Sequence, residues 1–240
     1  MRIVSGRPGY EIVFEDDCVL VCRKAAGLAT ESALTGAPDL AGRLRLYLKG
    51  EEEGGGAPYL GIVHRLDQPV EGLLVFAKTP EAAAELSAQV RDGRMEKTYL
   101  AMVHLPEGAP KTARLEDQLV REGSGVRMAR PGEKGAKRAA LSYEVLEKGG
   151  EFGLLKVSLE TGRRHQIRAQ LAAAGMPILG DRRYGRGDEG DRFPALCAAR
   201  LGFDHPRTRE RLVFEKIPSG GRWDESAHLA SAREAHALPF

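Results

Sequence analysis

Apolar positions along this chain fall into short strand-length runs more often than into helical stripes. EIVF at 11–14 and CVLVCRK at 18–24 read as strands, with a turn at Ala26-Gly27. Leu40, Leu44, Tyr47 and Leu48 recur at helical spacing, and Gly50 is placed to stop that helix. KGEEEGGGAP at 49–58 has no periodicity and predicts an exposed loop. LGIVH (60–64) and LLVFAK (73–78) have strand length, with the turn-like RLDQPVEG between them. Thr79-Pro80-Glu81 is a well-formed helix start, with Thr as N-cap, Pro in the first turn and an acid near the positive end of the helix dipole. Leu86 and Val90 mark the buried face of that helix, and Gly93 its end.

TYLAMV (98–103) alternates as a strand does, whereas 104–137 is rich in Gly, Pro and charge and predicts a long, mobile connection. ALSYEVLE (140–147) and GLLKVSLE (153–160) predict a hairpin around Lys148-Gly149-Gly150. Thr161-Gly162 leads into a helix on which Ile167, Leu171 and Ala174 share a face and Gly175 caps the end. MPILGD, ALCAARLGF and RLVFEKI add strand-like pieces up to Pro218, and the last 22 residues show little pattern. Strands outnumber helices, and several connections are too short for a helical crossover. The expected fold class is therefore α+β, a mixed and mainly antiparallel β-sheet with flanking helices. One domain over 1–218 and a C-terminal tail over 219–240 are expected.

With 240 residues, 42% hydrophobic and 29% charged, the chain has globular composition and length enough for a core of its own. No apolar run approaches membrane-spanning length, and the N-terminus turns acidic before any signal-like stretch. Cys18 and Cys22 on one strand would lie about 13 Å apart, beyond disulfide reach, and Cys197 leaves the count odd. Buried thiols in a reducing cytoplasm are expected. The histidines show no H-x-x-x-H or Cys/His grouping, so no metal site is expected. The formal net charge is only +2, but residues 121–138 carry six Lys/Arg against two Glu, and residues 163–192 carry seven Arg against four acids. Both stretches fit phosphate contact, and equally a solvated surface.

Three clusters set polar residues against apolar structure. In His64-Arg65-Leu66-Asp67, a carboxylate held in a turn between buried strands can act as base or nucleophile, or can simply bond its own turn. In Glu96-Lys97-Thr98-Tyr99, Lys97 and Tyr99 share a strand face that could meet phosphate and stack a ring, or could be half-buried packing. In residues 161–168, Arg163, His165, Gln166 and Arg168 open a helix. Arg168 lies next to the core stripe and needs an anionic partner; Asp67 would serve, as would a structural acid.

Together these clusters resemble the RluA-type family of RNA pseudouridine synthases. HRLDQPVEGLLVFAKT (64–79) is similar to its first signature and MEKTYLAMV (95–103) to its K-x-Y segment. TGRRHQIRAQLAAAGMPILGDRRYG (161–185) is similar to its TGR-x-HQIR and G-x-PI-x-GD-x-x-YG signature. DDCVLVCRKAAG and ALCAARLGFDHP resemble its opening and closing segments, so the likeness runs over roughly residues 10–218. The chain departs from the family pattern at Val70-Glu71 (often Thr-Ser), at Ala25 (often Pro) and at Cys197 (often His).

The resemblance implies a cleft that binds RNA and isomerises uridine to pseudouridine without cofactor or metal. It implies Asp67 as the essential carboxylate, Arg168 as its cationic partner and Tyr99 stacked on the target base. Arg65 would fill the space left by the extruded uridine, and His64, Lys97, Arg163, His165 and Gln166 would contact RNA. A stem-loop in rRNA or tRNA is the expected substrate, handled by a cytoplasmic monomer with no obligate protein partner, no membrane and no separate S4-type domain. The alternative is an inactive RNA-binding protein that keeps the fold.

Overall fold

The alternation at 10–15 forms β1 (Tyr10–Glu15), which pairs antiparallel with β2 (Val19–Lys24). Asp16 closes the turn between them, its Oδ1 accepting from the N–H groups of Cys18 (2.7 Å) and Val19 (2.8 Å). In this computed structural model the described residues are 9–32, 39–50, 57–150, 152–186, 190–235 and 237–238. Most of the expected 49–58 loop, the first residues of the chain and His236 lie outside them.

The elements that follow are α1 (Leu40–Lys49), β3 (Gly61–Ile62), β4 (Glu71–Ala77), α2 (Pro80–Arg91), β5 (Glu96–His104), β6 (Thr112–Glu122), β7 (Gly125–Met128), β8 (Lys137–Gly149), β9 (Phe152–Leu159), α3 (Gln166–Ala173), β10 (Leu196–Asp204), β11 (Arg211–Glu215) and α4 (Ala227–Ala235). The expected α+β class with an antiparallel sheet is what forms: every pairing between these strands described below is antiparallel. Among the described residues no helix is long and apolar enough to cross a membrane.

The chain divides into two compact units. The first holds Met1–Glu96 and Arg200–Lys216, the second Lys97–Ala199 and Ile217–Phe240. In the first, β1, β2 and β4 pair in that order, β3 pairs with β4, and β11 with β10. Its core gathers Val19, Val21, Leu73, Val75, Leu86, Leu201 and Phe203. Thr79 caps α2 as expected, accepting from the Ala82 N–H at 3.2 Å, and the helix turns Ala82 and Leu86 inward.

In the second unit the order is β5-β9-β8-β6-β7. The 104–137 stretch, read as a mobile connection, instead contains β6 and β7, joined by a two-residue loop at Gly123-Ser124. Ala113, Leu115 and Leu119 do alternate along β6, but charged neighbours on the exposed face mask the period. MPILGD forms no strand beyond a single bridge between Ile178 and Val103. The 161–175 helix begins only at Gln166, because His165 takes the left-handed conformation (φ 49°) and ends the preceding loop.

The 219–240 stretch also differs from the tail that was expected. A 3₁₀ turn at Gly221–Glu225 and α4 pack Trp223 and Leu229, together with Leu238 beyond the helix, with Leu100, Met102 and Leu154. Glu147 on β8 fastens them, accepting from the Ser226 hydroxyl (2.5 Å) and from the His228 N–H (3.2 Å) at the start of α4. Widely spaced apolar residues among charges hid this packing from the sequence.

Candidate active site

Asp67 follows the short β3 and precedes β4, in a segment tied down on both sides. The buried Thr30 hydroxyl donates to the Leu66 carbonyl (3.0 Å) and accepts from the Leu66 N–H (3.2 Å). On the other side Gln68 O accepts from the Gly27 N–H (2.9 Å), and the Val70 N–H closes a turn onto Asp67 O (3.0 Å). His64 Nε2 accepts from the Val75 N–H at 3.1 Å, which fixes the head of the segment to β4. Backbone bonds on each flank fix the main chain at Asp67, the first requirement for aiming its carboxylate.

Beneath this segment lies Lys24, the last residue of β2. Its side chain is wholly buried, and its ammonium donates to the carbonyls of Ala25 (3.0 Å), Leu28 (2.7 Å) and Gln68 (3.1 Å). Those three acceptors match its three N–H donors. Burial pulls the Lys24 pKa down to about 8, against the attraction of the charges on Asp67 and Glu71. Nothing in the local sequence distinguishes Lys24. It is a lysine at the end of an apolar strand, a position that usually exposes the head group.

Glu71, the departure from the family pattern, pairs with Arg23 on β2 at 2.8 Å, both side chains mostly shielded. Arg65 stays exposed, with Glu31 at 3.9 Å.

In the second unit, Tyr99 is buried on β5, where it pairs with Val157 of β9. Lys97, on the same strand, places its ammonium beside Gly162, 4.0 Å from where a Cβ would stand there. Burial pushes its pKa down, and among the described residues it makes no hydrogen bond or ion pair.

Gln166, expected on the RNA surface, is buried and engaged inside the loop. Its Oε1 accepts from Thr161 Oγ1 (2.7 Å) and the Arg163 N–H (2.9 Å), and its Nε2 donates to Ala140 O (3.0 Å). Arg163 and Arg164 stay exposed. His165 Nδ1 lies 3.0 Å from the Tyr184 hydroxyl.

Arg168 is buried on α3, and its guanidinium meets Asp181 in a fork, Nε to Oδ2 at 2.7 Å and Nη2 to Oδ1 at 2.8 Å. The Tyr184 ring lies against the same guanidinium, 5.2 Å from its carbon. Burial alone would raise the Asp181 carboxyl. The bond and charge of Arg168, with the N–H groups of Arg183 and Tyr184, outweigh it and hold the group below the usual carboxylate range. Asp181 and Tyr184 were visible in the GD-x-x-YG segment, but their role as the setting of Arg168 appears only in three dimensions. Gly185 completes this turn, donating to Asp181 O at 2.7 Å; a Cβ there would lie 2.3 Å from that oxygen.

Asp16, Cys18 and His205 bring three donor atoms within 4.8 Å of one another in the first unit. They do not fit a metal ion. His205 Nδ1 accepts from the N–H groups of Thr208 (3.0 Å) and Arg207 (3.3 Å), so its proton sits on Nε2 and points at Asp16 Oδ2 (2.8 Å). A metal on Nε2 would drive the proton to Nδ1, against two donors.

Known proteins resemble this chain in sequence and in fold. The family described as RNA pseudouridylate synthase matches over residues 18–173. Ribosomal large subunit pseudouridine synthase D of Zymomonas mobilis is 35% identical over 218 residues, covering 85% of this chain and 68% of that protein. The protein of the same description from Neisseria meningitidis serogroup A is 34% identical over 241 residues, covering 95% and 62%. The chain thus spans about two thirds of the length of these curated relatives. Human RNA pseudouridylate synthase domain containing 4 shares the fold, with a TM-score of 0.70 at 22% identity over 88% of this chain and 89% of that one.

Proposed function

The chain belongs to the RNA pseudouridylate synthase family, and from that premise we propose that it isomerises uridine to pseudouridine in ribosomal RNA, the substrate class named for its Zymomonas and Neisseria relatives. In this reaction the bond from N1 of uracil to the ribose carbon breaks, and the base turns in place. C5 then bonds to the same carbon, C5 loses its proton and N1 gains one. No electron is gained or lost overall.

The observation that carries the reading is the bracing of Leu66-Asp67-Gln68 by Thr30, Gly27 and Lys24 around the motif carboxylate. A carboxylate so held can attack the sugar or remove a ribose proton, and either role requires it ionised. The buried Lys24 ammonium braces the turn that presents it by donating to Gln68 O. Tyr99 is assigned to stack on the extruded base, and Arg168, oriented by Asp181, to hold the catalytic carboxylate by analogy with the family arginine. Arg65, exposed beside Asp67 in sequence, is assigned to the space the uridine leaves. Lys97, which has no partner among the described residues, supplies a cation for a phosphate, and Arg163 and His165 add contacts. His64 and Gln166 are assigned to shape the binding loops, because both spend ring or amide groups on the backbone.

Asp67, Tyr99 and Arg168 all stand at their motif positions, which favours activity over a binding-only role. The protein is taken to act as a cytoplasmic monomer; buried, unbridged Cys18, Cys22 and Cys197 fit that compartment. The test is incubation with unmodified rRNA and tRNA transcripts, followed by carbodiimide labelling and primer extension. A new stop at a defined uridine, absent with Asp67→Asn, is expected. Release of free uracil, or an active Asp67→Asn protein, would overturn the assignment.

A further inference from the structure

Arg164 and Arg183 occupy the variable positions of the TGR-x-HQIR and GD-x-x-YG segments, and both reach one residue. Arg164 Nε donates to the Ser124 carbonyl at 2.9 Å, and Arg183 Nη2 donates to the Ser124 hydroxyl at 2.6 Å. Ser124 is the exposed tip of the β6–β7 hairpin. The hairpin is seated beside these segments by Tyr184, whose hydroxyl accepts from the Val126 N–H at 3.0 Å. Gly125 permits the approach: a Cβ there would stand 2.5 Å from Arg183 Nη1 and 2.8 Å from the Tyr184 hydroxyl.

The charge at this tip differs from that of the neighbouring strands. Arg114 and Arg138 share Glu116 and Glu160, and Arg127 is held by Glu122 and Glu133. Arg164 and Arg183 bond only neutral acceptors; among the described residues neither meets a carboxylate, nor do the exposed Arg163 and Arg182. Each guanidinium spends few of its five donors on Ser124 and is held in place by that bond, so little further ordering is needed to grip an anion.

We propose that Arg164 and Arg183, pinned at Ser124, form a phosphate grip that binds the RNA backbone at the β6–β7 hairpin tip. The inference rests on the RNA-modifying reading above and adds to it a site that the family signatures leave variable. The grip contributes affinity and register along the strand and carries no chemistry on the uridine.

The test measures binding of a fluorescein-labelled, uridine-containing stem-loop transcript across a salt series, for the full chain, the Arg164→Gln/Arg183→Gln double variant and Ser124→Ala. Thermal unfolding is followed in parallel. The double variant is expected to bind roughly ten-fold more weakly at low salt, and the slope of log affinity against log salt should flatten by roughly 0.7–0.9 per phosphate released. Ser124→Ala keeps both charges and should keep the slope. An unchanged slope in the double variant, whether or not its melting point moves, would overturn the grip and leave the arginines as a hairpin clamp; so would failure of the full chain to bind the transcript. Pseudouridine formation assayed on the same samples separates the two readings: a wild-type chain that modifies RNA while the slopes agree loses only the grip.

Discussion

The ammonium of Lys24 donates to the carbonyl oxygen of Gln68 at 3.1 Å, one residue beyond Asp67. A buried cation thereby supports the turn that carries the candidate catalytic carboxylate. The relationship makes Lys24 a positioning residue with a titration of its own. Its folded pKa of about 8 lies below the ordinary value of 10.5. Below pH 8 the charged form is present in both folded and unfolded chains, and the cost of burying it is felt in full. As pH rises from 8 towards 10.5 the folded chain gives up its proton first. Stability from this group therefore increases there, by at most about 1.4 kcal/mol per pH unit. Over the same window the deprotonated amine keeps only two N–H donors for the carbonyls of residues 25, 28 and 68, so its hold on the turn that carries Asp67 weakens. Turnover is expected to fall above pH 8 without a matching loss of stability, and Lys24→Met to lower turnover and flatten that limb. A pH–rate profile beside urea unfolding at each pH checks this; wild-type turnover that stays level to pH 9.5 would refute it.

Removing Asp181 strips Arg168 of a buried, two-point carboxylate partner and frees two backbone donors. Asp181→Ala should destabilise the chain by about 3–5 kcal/mol. Because the folded pKa of Asp181 is depressed, its contribution is complete above pH 4 and disappears as pH falls through the folded value. The stability gap between wild type and variant should accordingly narrow in acid. Denaturant unfolding at pH 7 and at pH 3 measures both effects, and an equal gap at the two values would count against the pairing.

Gly185→Ala places a Cβ 2.3 Å from the Asp181 carbonyl oxygen, a backbone atom that no rotamer change can move. The expected cost is about 1–3 kcal/mol, with reduced turnover because the same turn sets Asp181 against Arg168. Thermal unfolding reads the first effect. A variant as stable as wild type would show that the turn can relax.

If Tyr99 acts by stacking, Tyr99→Phe should bind RNA nearly as well as wild type, and Tyr99→Ala should lose about 1–3 kcal/mol of binding. Fluorescence anisotropy with the stem-loop transcript distinguishes them. A large loss in Tyr99→Phe would assign the contact to the hydroxyl.

Local patterns foretold much of the architecture. The Thr79 cap, the strands expected at 11–14 and 73–78 and the β8–β9 hairpin follow from propensity and period alone, and the motif segments mark His64, Asp67, Tyr99 and Arg168. What escaped was non-local. Lys24 looks like an ordinary surface residue until the carbonyls of residues 25, 28 and 68 converge on it. Gln166 looks like a surface contact until Thr161, Arg163 and Ala140 take up its amide. β6 is obscured because its exposed face carries Arg114, Glu116 and Gln118, and their polarity masks the alternation.

Trp223 is the chain's single tryptophan, and it is buried in the core of the second unit. Its intrinsic fluorescence therefore reports the folding of that unit without any label, while far-UV circular dichroism sums the helices and strands of both. The two unfolding curves coincide only when both units melt in one step. The C-terminal stretch that carries so little sequence pattern thus supplies a built-in optical gauge of cooperativity.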